Sequence, residues 1–259
     1  MSFIAEHINN LNNKNRKALS VFLTAGFPDP NSFVDLSIDI LNAGADILEL
    51  GIPFSDPIAD GPVIQKSSKI ALDMGVQLKT VLEYTEKIKQ KSEKPIILMG
   101  YANPILNYGI DNFITDSINS GVDGLIIPDI PLDEYDSFWN SGNPGIDRIL
   151  LTTPTSSVNR IQKIDDISEG FVYCVSVTGI TGSGKKFNEN IFENIKNTYS
   201  LVTKNKMLIG FGISGPEDIK RFQPMCDGVI VGSAIINLLI ENKSPLDFVR
   251  DISKACIIE

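Results

Sequence analysis

Eight short apolar runs recur along this chain, each closed by Gly, Pro or Asp punctuation and most followed by a longer segment of helical period. They fall at residues 18–24, 46–51, 95–99, 124–128, 148–152, 171–177, 207–211 and 228–231. Most carry Ile, Val and Leu at successive rather than alternating positions. A strand with one wet face alternates, whereas a strand covered on both faces does not, so these runs suit a parallel sheet sheathed by helices. Between them, helical periodicity marks 32–43, 78–90, 110–120, 192–202 and 216–222, with a further helix near 63–74 in the long gap after the second run. Phe3, Ile4, Ile8 and Leu11 trace one face of a short N-terminal helix.

Eight such units in 259 residues, with no low-complexity linker or charge block, predict an α/β fold. The expected form is a single (β/α)₈ TIM barrel over residues 1–259, with an extra N-terminal helix and an extra helix after the second strand. An open doubly wound sheet uses the same local signals. The count of eight, and the lack of an N-terminal dinucleotide fingerprint, favour the barrel. In a barrel the chemistry collects at the C-terminal ends of the strands.

Charge and residue counts narrow the chemistry. Lys and Arg number 23 against 32 Asp and Glu, a formal charge of −9, which disfavours nucleic acid and anionic membranes as partners. The longest apolar stretch, 228–240, is interrupted by Ser233 and Asn237 and is too short to span a bilayer. The start has neither a basic region nor an apolar core of the secretory kind. Three cysteines with no C-x-x-C pair fit a reducing compartment, so the expected location is cytoplasmic. The one histidine, His7, lies on the N-terminal helix. A Ser-His-Asp hydrolase would need it at its centre, and a zinc site would lack its usual ligands. Carboxylates, hydroxyls and backbone amides are left to do any chemistry.

Glu49 stands inside the second apolar run, flanked by Leu48 and Leu50. Period two places it on one face with Ile47 and Gly51, toward the barrel mouth. Burial there raises a carboxyl's pKa toward useful acid/base values, although a purely structural Glu bonded to its neighbours has the same sequence pattern. Asp56 and Asp60 follow, each before a Pro or Gly, where Asp is ordinarily a turn residue. Late in the chain, Gly210-Phe-Gly-Ile-Ser-Gly-Pro and Gly228-Val-Ile-Val-Gly-Ser-Ala close the seventh and eighth strands. Glycines at helix starts present amides to an anion, and this is where many barrels hold phosphate. The loop from Thr178 to Lys186 contains G-x-x-x-x-G-K over 179–185, but Lys186 stands where a nucleotide-binding P-loop needs Ser or Thr. A mobile lid is the better reading.

These segments together resemble the tryptophan synthase α family. Leu48-Glu-Leu-Gly-Ile-Pro-Phe-Ser-Asp-Pro-Ile-Ala-Asp-Gly-Pro is similar to its signature. Phe22-Leu-Thr-Ala-Gly-Phe-Pro, Tyr101-Ala-Asn-Pro, Pro128-Asp-Ile-Pro, Gly179-Ile-Thr-Gly, Gly210-Phe-Gly-Ile and Gly232-Ser-Ala-Ile follow in the family's order. The resemblance implies cleavage of indole-3-glycerol phosphate to indole and glyceraldehyde 3-phosphate. Glu49 would then be the acid/base and Asp60 the acceptor for the indole N–H. Phe22, Met99, Leu125, Ile127, Tyr173 and Phe211 would line the indole pocket, with Thr181 closing over Asp60. Gly182, Gly212, Gly232 and Ser233 would hold the phosphate. The resemblance also implies an αββα heterotetramer with a pyridoxal-phosphate-dependent β subunit, the α chain itself having no cofactor. Pro53, Asp56 and Pro57 would face that partner. The residues alone leave room for a stand-alone lyase, a phosphosugar isomerase on the same barrel, or a binding protein without turnover.

Overall fold

The computed structural model describes residues 2–139, 145–153, 155–175, 189–210 and 212–258. Strand segments β1 (Ala18–Thr24), β2 (Ile47–Gly51), β3 (Ile96–Met99), β4 (Gly124–Ile126), β5 (Asp147–Ile149), β6 (Leu151–Thr152), β7 (Phe171–Val175), β8 (Lys206–Gly210) and β9 (Gly228–Val231) form one sheet. Its order is β5-β4-β3-β2-β1-β9-β8-β7-β6, with every pairing parallel. The sheet curls until its two ends are consecutive in the chain. There the Tyr173 amide donates to the Leu150 carbonyl at 2.9 Å and the Glu169 amide to that of Arg148 at 2.8 Å, joining the ends. The architecture is the expected eight-staved barrel.

The fifth stave differs from the single run read in the sequence. It divides at Leu150, because its first half is registered on β4 and its second on β7. The fourth strand is also shorter than expected, ending at Ile126 ahead of Pro128, which has no amide to donate.

Helices surround the staves: α1 (Phe3–Asn12), α2 (Phe33–Ala43), α3 (Pro62–Asp73), α4 (Leu78–Lys89), α5 (Ala102–Tyr108), α6 (Ile110–Ser120), α7 (Tyr135–Phe138), α8 (Val158–Ile167), α9 (Glu189–Leu201), α10 (Pro216–Phe222), α11 (Ser233–Ile240) and α12 (Leu246–Ala255). Both expected additions are present, as α1 and α3. Local chemistry fixes several starts. The Ser2 and Ser157 hydroxyls accept from the amides of Ala5 and Arg160, and Pro62 and Pro216 open their helices where a missing N–H costs nothing. α7 stops at Phe138, just before the Asn140-Ser-Gly-Asn-Pro-Gly interruption. Among the described residues no helix is long and apolar enough to cross a membrane.

The N-terminal end of the barrel is locked by a repeated device. Asp46, Asp123 and Asp227 each precede a strand, and each carboxylate accepts from the amide of a residue at the start of a neighbouring strand. The donors are Leu19 at 2.9 Å, Ile96 at 2.8 Å and Met207 at 2.9 Å. Arg16, Lys89 and Lys206 neutralise the three carboxylates. α1 covers this end with Ile4 and Ile8, so close that a Cβ on Gly124 would meet the Ile4 side chain at 2.8 Å. His7 belongs to this cover, where burial lowers its pKa, and is remote from the opposite mouth. With one end locked, the other is free to carry loops.

Candidate active site

Glu49 occupies the face of β2 expected from its period. It is 0% exposed. The Ser20 hydroxyl on β1 donates to Glu49 Oε1 at 2.7 Å, while Oε2 has no hydrogen-bond partner among the described residues. Desolvation raises the carboxyl's pKa to about 7, and the Ser20 hydrogen bond, which favours the charged form, opposes that rise. A carboxyl poised near neutrality with one free oxygen is suited to giving and taking a proton.

Asp60 arrives from the loop between β2 and α3. Its amide donates to the Pro57 carbonyl at 3.0 Å, and its own carbonyl accepts from Gln65 Nε2 at 2.9 Å. The Tyr101 hydroxyl, at the start of α5, donates to Asp60 Oδ2 at 2.9 Å and accepts from the Ala59 amide at 3.1 Å. Desolvation raises Asp60 to about 6, against the Tyr101 hydrogen bond. Both carboxyls are thus raised toward neutrality by burial, Glu49, the more deeply buried, further than Asp60. Two carboxyls set apart in this way can hold different roles at one pH.

The two meet around Tyr173 on β7, whose hydroxyl is held well above its ordinary pKa by burial first, then by the charges of Glu49 and Asp60. Tyr173 and Asp60 line an open mouth cavity with Phe22, Ile64, Met99, Gly212, Ile213, Ile230, Gly232 and Ser233. The walls are mainly apolar and aromatic, which suits a flat ring. The tip of the Phe22 ring reaches over Gly51 on β2, which has no side chain. A Cβ there would overlap the tip of the Phe22 ring.

One end of the cavity is lined by backbone at Gly212, Gly232 and Ser233. Gly232 caps α11 without any side-chain hydrogen bond, and its carbonyl accepts from the amides of Ile235 and Ile236, so the amides of Ser233 and Ala234 are the ones a helix start leaves without an intrahelical acceptor. Gly212 adopts φ +83°, which favours glycine. The start of α10 is occupied instead by its own Asp218, which accepts from both the amide and the hydroxyl of Ser214 at 2.9 and 2.7 Å.

The structure thus brings together Phe22, Asp60, Met99, Tyr173, Gly212, Gly232 and Ser233, with Glu49 fully buried next to Phe22's strand. Leu125 is buried within β4, and Ile127 lines a neighbouring cavity with Pro128, Tyr135, Leu150 and Arg160; neither lines the first cavity. Thr181, Gly182 and Phe211, with the loop from Thr178 to Lys186, lie outside the described residues. Ser20, Ile64, Tyr101, Ile213 and Ile230 were not singled out from the sequence. Of the expected partner-facing residues, Asp56 is exposed while Pro53 and Pro57 are buried in the chain, and Ile58 between them and Asp60 is 81% exposed.

A family model described as tryptophan synthase alpha chain matches residues 8–254. The chain belongs to that family. A tryptophan synthase alpha chain of Petrotoga mobilis is 45% identical over 230 residues, 88% of this chain and 89% of the relative. Another, from Geotalea uraniireducens, is 43% identical over 242 residues, 93% of this chain and 90% of the relative. Among solved structures, a tryptophan synthase of Mycobacterium tuberculosis superposes with a TM-score of 0.91 at 31% identity, covering 100% of this chain and 99% of the other. An Aquifex aeolicus protein gives 0.91 at 32% identity, with full coverage of both chains. As a member of this family the chain is a carbon–carbon lyase of tryptophan biosynthesis, cleaving indole-3-glycerol phosphate. Its partner is a β subunit.

Proposed function

We propose that Glu49 is the proton carrier of this cleavage and Asp60 its electrostatic partner, with the mouth cavity holding the substrate. The observation that carries this is the placement of a fully buried Glu49 on β2, opposite Phe22 and with Oε2 unpartnered among the described residues, close to an Asp60 that lines the same apolar mouth cavity as Phe22. The indole ring packs between Phe22, Met99 and Tyr173, and the phosphate takes the amide end formed by Gly212, Gly232 and Ser233. Protonated Glu49 delivers its proton to the ring carbon bearing the glycerol chain. Positive charge develops at the ring N–H, where the Asp60 carboxylate accepts a hydrogen bond and stabilises it. The carbon–carbon bond then breaks, its electron pair returning to the ring as indole. The hydroxyl on the departing carbon yields its proton to Glu49 and becomes the aldehyde. One proton enters at carbon and one leaves from oxygen, so Glu49 ends as it began.

The protonated ring is its own electron sink. On this reading the chain works without a cofactor, and pyridoxal phosphate belongs to the β subunit. The assembly we propose is the αββα heterotetramer, working in the cytoplasm, with the loop bearing Asp56 and Ile58 against the β subunit. The test is indole release from indole-3-glycerol phosphate by the purified chain. Turnover without added metal or cofactor, lost in Glu49→Gln by at least about 10²-fold, is the expected result. Wild-type turnover in a folded Glu49→Gln protein would remove Glu49 from the mechanism.

A further inference from the structure

Among the described residues Glu49 is held through one oxygen only. Ser20 lies on the adjacent stave, with Phe22, two residues on, directly opposite Glu49 in the parallel register. Ser20 is itself 0% exposed, so no water competes for its hydroxyl. That hydroxyl donates to Oε1 at 2.7 Å, a well-formed O–H···O bond. Oε2 is left without a partner among the described residues, in a site where an unpaired buried oxygen is costly. A free carboxylate can present either oxygen to a substrate, and its rotation adds an ordering cost to every turnover. A carboxylate pinned through one oxygen presents only the other.

We propose that Ser20 is a positioning residue for Glu49, fixing Oε1 so that Oε2 alone exchanges the proton with substrate. The assignment rests on the acid/base reading of Glu49 and extends it to a specific oxygen. A hydroxyl donor serves both halves of the reaction. When Oε2 carries the proton, Oε1 remains an acceptor, and when the proton has left, the same bond stabilises the carboxylate that must take a proton from the glycerol hydroxyl. Ser20 also restrains the rise that burial imposes on Glu49. Among the described residues the other titratable groups interacting at this floor are Tyr173 and Cys174 on β7 and Asp60 from the β2–α3 loop. The hydrogen bond to Oε1 comes from Ser20, while Asp60 takes its own from Tyr101.

The experiment is the pH dependence of kcat/KM for indole release by the intact chain with its β subunit, in wild type, Ser20→Ala and Ser20→Thr. Glu49 acts first as an acid, so activity falls as pH rises through its pKa. Removing a donor that favours the carboxylate moves this falling limb upward by about one pH unit in Ser20→Ala. The kcat of that variant drops several-fold with KM for substrate little changed, because binding groups are untouched. Ser20→Thr keeps the hydroxyl and restores both limb and kcat. Ser20→Ala removes a single oxygen atom and is checked for folding by its thermal midpoint. An unshifted limb with wild-type kcat in folded Ser20→Ala overturns the proposal, as does an equal loss in Ala and Thr variants without a shift. Glu49→Gln is measured in parallel. Full activity there defeats the acid/base reading itself, whereas its loss beside an indifferent Ser20→Ala defeats only the role of Ser20.

Discussion

The Tyr101 hydroxyl bridges Asp60 and the loop that carries it, donating to Oδ2 at 2.9 Å while accepting from the Ala59 amide at 3.1 Å. It thereby holds the carboxylate against the end of the adjacent stave, β3, and the Phe54 ring packs on Tyr101 with centroids 5.3 Å apart. A further hydrogen bond, from the Ala102 amide to Asp129 Oδ1 at 2.9 Å, ties the same helix start to the loop after β4. Asp60 is placed by α5 as much as by its own loop.

Tyr101→Phe keeps the ring contact and removes the donor. Since that donor holds Asp60 down against desolvation, its loss raises the Asp60 pKa above about 6. Asp60 acts as a carboxylate, so lyase activity is lost as pH falls through its pKa. The acid limb of the kcat profile therefore moves to higher pH in Tyr101→Phe, with kcat at pH 7 reduced roughly 10-fold. An unmoved acid limb would show that Tyr101 does not tune Asp60.

Glu49 also sets a conflict between function and stability. Its pKa is raised from 4.5 in the unfolded chain to about 7 on folding, so the folded state binds the extra proton between those values. The stabilising contribution is complete below about 4.5 and is lost as pH rises through 7. Glu49→Gln is neutral throughout. It should unfold at a higher denaturant midpoint than wild type at pH 8, by at most about 3 kcal/mol, with the gap closing toward pH 5. Equal stabilities at both pH values would mean that Glu49 is not desolvated as the geometry requires.

At the barrel's N-terminal end stability and activity separate. Asp165, buried near the end of α8, accepts from the amides of Thr203, Lys204 and Asn205 at 2.7, 2.9 and 3.0 Å, and so ties down the turn between α9 and β8. Asp165→Ala leaves three amides without their acceptor and should cost about 2–4 kcal/mol in urea unfolding. The specific activity of the folded fraction should change less than twofold. A large fall in kcat at unchanged stability would contradict this division of labour.

Much of the barrel is legible in the sequence because a stave buried on both faces has no alternative to a continuous apolar run. Glu49 stands out for the same reason, as a charge where the pattern excludes one. Ser20 does not stand out. It is a small residue in an apolar run, and its meaning depends on the register that sets Phe22 against Glu49, 27 residues further along the chain. Tyr101 is hidden similarly, since its pairing with Asp60 arises only when the β3 stave lies beside β2. The division of the fifth stave at Leu150 reflects barrel closure, a constraint on the whole sheet that no local run encodes. The neighbouring cavity at Ile127 has the same origin, because β4 ends before Pro128 and the chain leaves the sheet there.

The loop between β2 and α3 joins the active-site Asp60 to an apolar side chain that the isolated chain leaves in water. Ile58 is 81% exposed, beside exposed Asp56, while Pro53 and Pro57 are buried and brace the loop from within. A β subunit seated here would cover Ile58 and press on a segment whose Asp60 amide is bonded to Pro57, so docking and carboxylate position become linked. Burying Ile58 contributes about 1.5–3 kcal/mol to the interface. Ile58→Asp places a charge there instead and should weaken β-subunit binding by at least about 10-fold in titration calorimetry, lowering the stimulation of indole release accordingly. Asp56→Ala should reduce that stimulation more than it reduces cleavage by the chain alone. Sedimentation of the mixed subunits at the mass of two α and two β chains is expected for wild type. If wild type and Ile58→Asp bind the β subunit equally and are stimulated equally, this loop is braced for catalysis alone.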